Sequence, residues 1–140
     1  MEFEIFTDGG ARGNPGISGC GVSIVDAQGN EVGKISKFIG LATNNEAEYK
    51  AVIFACDWLK EQKLSAEDKI KFKLDSMLVV QQLSKIWKIK EPRLMVFAKE
   101  IWDKLSALPH SATFSHIPRS QNARADQLAN EAMDQGTINH

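Results

Sequence analysis

The chain has 140 residues, of which 43% are hydrophobic and 25% are charged, and its formal net charge is −1 at pH 7. A chain of this length suits one domain that buries about 70% of the surface its unfolded form exposes. The near-neutral charge does not indicate a polyanionic partner, so any contact with nucleic acid must come from a local basic patch. No run of about 18 apolar residues predicts a membrane span.

The N-terminus and the cysteines favour a cytoplasmic protein. The stretch "MEFEIF" is acidic and alternating, unlike the basic and apolar regions of a signal peptide. Cys20 and Cys56 have neither CxxC spacing nor a histidine-rich partner segment, so free thiols are the simplest interpretation. Because no repeat, low-complexity run or linker is present, we expect one domain over residues 1–140, with residues 135–140 as a candidate flexible tail.

The first part of the chain predicts three antiparallel strands. "EFEIFTD" alternates as a strand does, with Asp8 at its end, and "GARGNPGISGCG" has the composition of turns and bulges. Two more strands lie in "CGVSIVDAQGNEVGKISKFIG", joined by a turn around "DAQGN".

Helices and strands alternate in the remainder. We predict a helix from about residue 44 to 63, a strand "KIKFKLD", a short helix from Ser76, and a helix from about residue 92 to 107. The last strand is "ATFSHI", and a final helix starts near residue 121. Hairpins followed by strand–helix alternation predict an α/β fold with a mixed sheet flanked by helices.

The stretch "TNNEAEY" places two glutamates at the start of the first predicted helix. Thr43 and Glu46 fit a capping box, in which the glutamate folds back onto the cap. Glu48 lies about 200° away around the helix, so Glu46 should point to solvent. Glu48 instead heads an apolar stripe that should pack on the sheet, where a carboxylate requires a cation or hydrogen bonds. A position at the open edge of the stripe is the alternative interpretation of Glu48.

Three aspartates occupy positions that could share a site with Glu48. Asp8 and Asp75 each follow a predicted strand, and mixed α/β sheets hold ligands beyond the carboxyl ends of their strands. Asp126 borders the buried stripe of the last helix, with Asn122 one turn earlier, where its side chain could orient Asp126. Taken singly, Asp8 could stabilise a turn, Asp75 could favour a helix dipole, and Asp126 could be a solvated helix acid.

Convergence of the four acids would have a chemical consequence. Four neighbouring carboxylates repel one another strongly, and divalent cations relieve that repulsion. Carboxylates with water are the ligands that Mg²⁺ prefers. Two such ions about 4 Å apart can activate water and stabilise a leaving alkoxide in phosphodiester hydrolysis.

Four segments in order, "FTDGGARGNPGISGCG", "TNNEAEY", "LDS" and "NARADQLA", resemble type 1 ribonuclease H at roughly its spacing, and the resemblance covers nearly the whole chain. It implies a ribonuclease H-like fold, with a five-stranded mixed sheet of order 3-2-1-4-5. It also implies an endonuclease that cuts the RNA strand of RNA–DNA hybrids, leaving 5′-phosphate and 3′-hydroxyl ends, with two Mg²⁺ ions or Mn²⁺ as a substitute. The base edges need not be read, so we expect little sequence specificity.

The resemblance also assigns roles to individual residues. The four metal-binding and catalytic acids that it implies are Asp8, Glu48, Asp75 and Asp126. The backbone of Gly9 is added as a further metal ligand, and Asn122 as an orienting residue. The predicted substrate-binding residues near the glycine-rich segment and the helix start are Arg12, Asn14, Asn44 and Asn45. Side-chain amides and exposed backbone suit ribose 2′-hydroxyls, which both donate and accept hydrogen bonds.

Two segments depart from the better-known bacterial pattern and resemble a compact archaeal-like branch. A longer loop with a histidine is replaced by "SHIPRSQN", in which we expect His116 to end the last strand as an ordinary hydrogen-bonded residue. Arg119 is the candidate auxiliary group near the scissile phosphate, where it could contact phosphate but not act as a base. Its alternative is a solvated loop arginine.

The basic protrusion of many bacterial members contracts here to "KIWKIKEPR". The cations in and beside this segment are Lys85, Lys88, Lys90 and Arg93. Together with Trp87 they offer charge and an aromatic surface to a sugar–phosphate backbone, so we predict that Lys88 and Lys90 contact the DNA strand. The alternative is a plain surface segment with Trp87 packed into the core.

Three other functions stay open at this point. A DNA nuclease of the same fold, such as a junction resolvase, would not need the asparagine pair in "TNN". A non-catalytic hybrid-binding module would not need all four acids. An aspartyl-phosphate phosphatase would carry a second aspartate where Gly10 stands. The expected partner is the hybrid alone, for a monomer with no membrane attachment and no obligate protein partner.

Overall fold

A computed structural model describes residues 1–138. Five strands form one sheet in the order β3-β2-β1-β4-β5. The strands are β1 (Glu2–Arg12), β2 (Gly16–Val25), β3 (Glu31–Ala42), β4 (Lys69–Leu74) and β5 (Ser111–His116). The helices are α1 (Asn44–Lys60), α2 (Met77–Leu83), α3 (Pro92–Ser106) and α4 (Ala123–Ile138), with a short 3-10 turn at Arg119–Gln121. The predicted fold class and strand order are confirmed.

The sheet is antiparallel on one side and parallel on the other. β1 pairs with β2 and β2 with β3 in antiparallel register, while β4 lies parallel to both β1 and β5. The turn between β2 and β3 is held by Asp26, whose Oδ1 accepts the N–H groups of Gln28 at 3.0 Å and Asn30 at 2.9 Å. The predicted meander and its "DAQGN" turn are therefore confirmed.

Strand β1 is longer than predicted. Asp8 does not end it, since β1 continues through Gly9 and Gly10 to Arg12, paired with β2 throughout. The parallel neighbour β4 ends at Leu74, opposite Thr7. Asp8 therefore lies inside a strand, but directly beyond the point where the parallel pairing stops. The sequence pattern missed this because only the antiparallel partner sustains the extension.

Helices cover both faces of the sheet because successive residues of a strand point to opposite sides. In β2, the Cys20 thiol donates to the carbonyl oxygen of Ala47 in α1 at 3.3 Å. Its neighbours Gly19 and Gly21 lie against α4, where an added Cβ would press on the helix backbone. The core on the α1 side is well filled, and its largest fully buried side chains include Tyr49 and Phe72.

The C-terminal helix extends into the segment predicted as a tail. Residues 135–138 continue α4, and Gly136 lies against the ring of Phe38. The last two residues, 139 and 140, lie outside the described part of the chain. Among the described helices, none is long and apolar enough to cross a membrane.

Gly9→Ala tests how closely β1 approaches α1. A Cβ at Gly9 would collide with the backbone of Ala47 and Glu48. Because backbone cannot rotate aside, we expect the free energy of unfolding to fall by about 2–3 kcal/mol. Gly10→Ala is the matched control, since its Cβ would meet the flexible end of Met133 at 3.3 Å. We expect it to lose less than about 1 kcal/mol in urea unfolding; equal losses would contradict the close approach.

Candidate active site

A cavity of about 420 Å³ opens where β1 extends past the end of β4, beside the start of α1 and the first turns of α4. Its walls include the four predicted acids: Asp8, Glu48, Asp75 and Asp126. They come from β1, from α1, from the residue after β4 and from the first turn of α4. The structure thus brings together side chains from four distant segments, as the sequence predicted.

Three of the acids form a compact cluster. One carboxylate oxygen from each of Asp8, Glu48 and Asp75 lies within 4.8 Å of the others. Asp126 lines the same cavity outside that cluster, and its charge acts on Asp8. An oxygen-only donor set of this kind suits a hard divalent cation.

Glu48 is fixed on one side and unsatisfied on the other. Its Oε1 accepts the backbone N–H of Gly9 at 2.6 Å, and the residue is only 7% exposed. Its Oε2 is buried and has no hydrogen-bond partner among the described residues. A buried carboxylate oxygen in this state requires a cation or a proton. The observed role of the Gly9 backbone is to orient Glu48, and its role as a metal ligand stays a prediction.

Asn122 orients a different acid from the one predicted. Its side chain is 1% exposed, and Nδ2 donates to the carbonyl oxygen of Thr7 at 2.9 Å and to Asp75 Oδ2 at 3.1 Å. With Asp126 it shares only a backbone hydrogen bond, from the Asp126 N–H at 3.0 Å. The predicted side-chain contact with Asp126 is wrong, because the side-chain NH₂ of Asn122 is engaged by β1 and by Asp75 instead.

Glu46 forms the predicted capping box but does not point to solvent. Its Oε1 accepts the Thr43 N–H at 3.0 Å, and its own N–H donates to Thr43 Oγ1 at 3.1 Å. Glu46 is buried because α3 packs against α1, and Arg93 of α3 donates to Glu46 Oε2 at 3.1 Å. The backbone hydrogen bond from Thr43 and the charge of Arg93 lower the pKa of Glu46.

The pKa values of Asp8 and Glu48 in the cluster are shifted upward, in the opposite direction to that of Glu46. Burial raises the pKa of Asp8 to about 7; the neighbouring Glu48 carboxyl opposes this shift, while the charges of Asp75 and Asp126 reinforce it. Burial also raises the pKa of Glu48, as does the charge of Asp8, against the lowering effect of the Gly9 N–H. Near neutral pH this pair of carboxyls therefore retains a proton unless a cation compensates the second charge.

The predicted amides fasten the glycine-rich segment to the start of α1. Asn14 Oδ1 accepts the N–H of Asn44 at 3.0 Å, and Asn44 Oδ1 accepts the N–H of Ala11 at 2.9 Å. Asn44 and Asn45 line the acidic cavity, whereas Asn14 supports it from outside. Asn14 and Asn44 each carry an NH₂ donor in addition to the oxygen that is engaged here.

Arg119 and Arg12 lie at the edge of the cavity, and His116 contacts the backbone of Asp75 beside it. Arg119 lies in the 3-10 turn, 81% exposed, with Nε 3.9 Å from Asp75 Oδ2 at the edge of the cavity. His116 ends β5, and its Nε2 lies 3.2 Å from the backbone oxygen of Asp75, the ordinary hydrogen bond expected for it. Arg12 lines the cavity rim, where its Nη2 lies 2.7 Å from Asp134 Oδ1.

Lys88 and Lys90 lie outside the acidic cavity, in a neighbouring pocket that shares Asn45 with it. Trp87 is 46% exposed, so the alternative that places it in the core is wrong. The other two cations of the segment are engaged, because the Lys85 ammonium lies 4.8 Å above the Trp102 ring and Arg93 pairs with Glu46. Lys88 and Lys90 have exposed side chains.

The sequence did not identify some of the residues that line the acidic cavity. Ser76, Asn130 and Met133 also face the cavity. The signal for Asn130 was its position one helical turn after Asp126, and its Nδ2 donates to the Asp126 carbonyl oxygen at 3.0 Å. The helical period applied forward from Asp126 would have found it.

Comparison with known proteins places this geometry in a family. The family model described as "Reverse transcriptase-like" matches residues 6–132. The bifunctional protein Rv2228c of Mycobacterium tuberculosis is 40% identical over 96% of this chain, which spans only 36% of that relative. Ribonuclease HI of Halobacterium salinarum is 38% identical over 92% of this chain and 63% of the relative. Ribonuclease H of Hydrogenovibrio crunogenus is 34% identical over 98% of this chain and 99% of the relative.

Solved structures agree with these relatives. LC11-RNase H1, isolated from compost by a metagenomic approach, has a TM-score of 0.91 and 43% identity, covering 97% of this chain and 98% of its own. The structure of LC11-RNase H1 in complex with an RNA/DNA hybrid has a TM-score of 0.92 and 42% identity, covering 96% and 99%. With its sheet order, its four cavity acids and these near full-length matches, the chain belongs to the type 1 ribonuclease H family.

Proposed function

We propose that this chain is an endonuclease that hydrolyses the RNA strand of RNA–DNA hybrids, giving 5′-phosphate and 3′-hydroxyl ends. The observation that carries the proposal is the cluster of Asp8, Glu48 and Asp75 within 4.8 Å, in a cavity that Asn44 and Asn45 also line. Support comes from LC11-RNase H1, which is 42% identical and has been solved with an RNA/DNA hybrid.

The cluster fits divalent metal ions, and we propose Mg²⁺ with Mn²⁺ as a substitute. The donors are carboxylate oxygens, and the unpartnered Glu48 Oε2 supplies a buried oxygen that a cation would satisfy. We assign Asp8, Glu48, Asp75 and Asp126 to hold the ions. When bound, such ions supply a nucleophilic water at neutral pH and offset the charge that develops on the phosphate and the leaving oxygen.

The surrounding residues orient the acids and the phosphate. The Gly9 N–H holds Glu48, and Asn122 joins Asp75 to Thr7 of β1. Two fixed hydrogen bonds keep these carboxylates in place despite their mutual repulsion, so little reorganisation is needed when substrate binds. Arg119, exposed beside Asp75, is a permanent cation that can contact a phosphate oxygen but cannot accept a proton at neutral pH.

Recognition of the RNA strand falls to the amides. Asn44 and Asn45 line the cavity, and Asn14 fixes the backbone of Asn44. Amide groups donate and accept hydrogen bonds, as the ribose 2′-hydroxyl does, so they distinguish RNA from DNA without reading the bases. We therefore propose cleavage with little sequence specificity.

Recognition of the DNA strand falls to Lys88 and Lys90. Their pocket shares Asn45 with the acidic cavity, so the two surfaces are continuous. The segment is anchored internally, because the buried Gln82 donates to the Lys88 carbonyl oxygen at 3.2 Å and accepts the Tyr49 hydroxyl at 2.6 Å. Tyr49 directly follows Glu48, so these hydrogen bonds join the backbone of Lys88 to the helix that carries Glu48.

A DNA nuclease of the same fold is the second candidate. The convergence of the acids alone favours neither substrate, whereas the asparagines beside them favour ribose. The cytoplasmic location and the monomeric state predicted from the sequence stay predictions.

The substrate is tested with labelled RNA–DNA hybrid, duplex RNA, duplex DNA, junction DNA and single strands, each with Mg²⁺, Mn²⁺ or EDTA. We expect metal-dependent cleavage of the RNA strand of the hybrid. Asp75→Asn should reduce that cleavage by at least about a thousandfold, because it removes a carboxylate from the cluster. Asp103→Asn, an exposed acid on α3, is the matched control and should cleave normally. Near wild-type cleavage by Asp75→Asn would falsify the assignment.

Metal-free stability should respond to pH through Asp8. Its pKa rises on folding from 3.8 to about 7, so folded protein is destabilised as the pH rises through that window. At pH 8 without metal, Asp8→Asn should be more stable than wild type by about 3–4 kcal/mol, and near pH 4 the difference should shrink to a small value. Urea unfolding across this range measures the difference.

Glu46→Gln is the control with the opposite sign. The pKa of Glu46 is lowered in the folded protein, so its contribution is present above the ordinary value of 4.5 and is lost as the pH falls through the folded pKa. At pH 7 the variant should be less stable than wild type by about 1–2 kcal/mol, because the capping box and the Arg93 pair are weakened. If both variants changed stability in the same direction at pH 8, the electrostatic account of the site would be wrong.

The double variant Lys88→Gln/Lys90→Gln tests the DNA-strand surface. Loss of two phosphate contacts should raise KM about 5- to 20-fold with little change in kcat, and should reduce the slope of log KM against log salt by up to about 2. Lys60→Gln/Lys63→Gln, exposed at the end of α1, is the control for removal of charge alone. Equal effects in the two double variants would argue against a specific surface.

A further inference from the structure

Arg12 and Asp134 form an ion pair on the rim of the acidic cavity. Arg12 is the last residue of β1, and its Nη2 lies 2.7 Å from Asp134 Oδ1 on α4. The same nitrogen lies 3.5 Å from both the side-chain and the backbone oxygen of Asn130. One nitrogen of the guanidinium therefore faces three acceptors on a single helix.

The fold does not depend on this pair. The side chains of Arg12 and Asp134 are 42% and 61% exposed. Ion pairs this exposed contribute little to stability, because water screens them and two mobile side chains must be ordered. Helix α4 is held independently by its buried face, which includes Leu128 and Ala132, and by Ser36 Oγ donating to the Leu128 carbonyl oxygen at 2.6 Å.

The pair lies instead where the substrate is proposed to bind. Arg12 lines the cavity together with Asn44, and the backbone N–H of the preceding residue, Ala11, donates to the Asn44 side chain. Arg12 thus lies next to the amides assigned to the RNA strand. A guanidinium there is well suited to a backbone phosphate, since it presents several N–H donors in a planar fork.

In the free protein Asp134 supplies the negative group that a phosphate would supply. A carboxylate 2.7 Å from Nη2 cancels much of the attraction that Arg12 exerts on a polyanion, and it repels any phosphate that approaches the same nitrogen. The Asp134 side chain is more than half exposed, so it can rotate away.

We propose that Asp134 is an affinity-setting residue that competes with a phosphate of the RNA strand for Arg12, so that hybrid binding opens the pair. This proposal rests on the proposed function, because it takes the hybrid as the ligand of the cavity. It predicts that Arg12 contributes little to binding while Asp134 is present and contributes strongly once Asp134 is neutral.

The test is a double-mutant cycle read by hybrid binding. Fluorescence anisotropy of a labelled RNA–DNA hybrid is measured in Mg²⁺, with the Asp75→Asn change in every protein to prevent cleavage. Asp134→Asn should bind about three- to tenfold more tightly than its parent. The slope of log affinity against log salt should steepen by about 1, because Arg12 now displaces a counterion. Arg12→Gln should abolish that gain when combined with Asp134→Asn.

Glu131→Gln is the matched control for loss of negative charge. Glu131 is exposed on the same helix, and its Oε1 accepts a hydrogen bond from Gln127 Nε2 at 3.4 Å. We expect it to change affinity less than twofold. In cleaving protein, Asp134→Asn should lower KM rather than raise kcat.

The results that would overturn the Asp134 proposal differ from the result that would count against the proposed function. Unchanged or weaker binding by Asp134→Asn would overturn the proposal, because Asp134 would then be neutral or would position Arg12 for the substrate. A gain that persists in the combination with Arg12→Gln, or that Glu131→Gln reproduces, would overturn it as a general charge effect. Failure of the parent to bind hybrid at all would instead count against the proposed function.

Discussion

The mutual repulsion of buried carboxylates is the constraint on which this structure depends. Asp8 is 4% exposed and Glu48 7% exposed, and both lie within 4.8 Å of Asp75 through their carboxylate oxygens. Burial alone would favour their neutral forms, and each negative charge makes ionisation of the next harder. Such a cluster lowers the stability of the metal-free fold, which is typical of residues that serve a ligand.

The surrounding fold holds these acids in place against that repulsion. The extension of β1 past β4 carries Asp8 to the open end of the parallel pairing, and the absence of a side chain at Gly9 lets α1 approach closely enough for the hydrogen bond to Glu48. Asn122 joins Asp75 to Thr7 of β1. The capping box of α1 fixes the start of the helix that carries Glu48, and Arg93 joins that box to α3. Stabilising contacts thus surround a destabilised centre.

Local patterns in the sequence predicted much of this arrangement. The capping box and the stripe headed by Glu48 depend on spacing within α1, and each of the four acids was identified from the pattern of its own segment. The four family segments supplied the order of the sheet. The errors concern contacts between elements. Glu46 was expected in solvent because nothing in its own helix shows that α3 covers it, and the side chain of Asn122 was assigned to the nearest acid in sequence rather than to Asp75, the one across the fold. The length of β1 depends on its pairing with β2, and the residue pattern of one strand alone does not show how far that pairing extends.

The protonation of the buried pair can be measured directly, since Asp8 and Glu48 should retain a proton at neutral pH that divalent cations displace. Isothermal titration of Mg²⁺ into the protein at pH 7, in buffers of different ionisation enthalpy, measures the protons released per ion bound. We predict net proton release by the wild type and markedly less by Asp8→Asn. Binding of Mg²⁺ without proton release, or an unchanged release in Asp8→Asn, would contradict it.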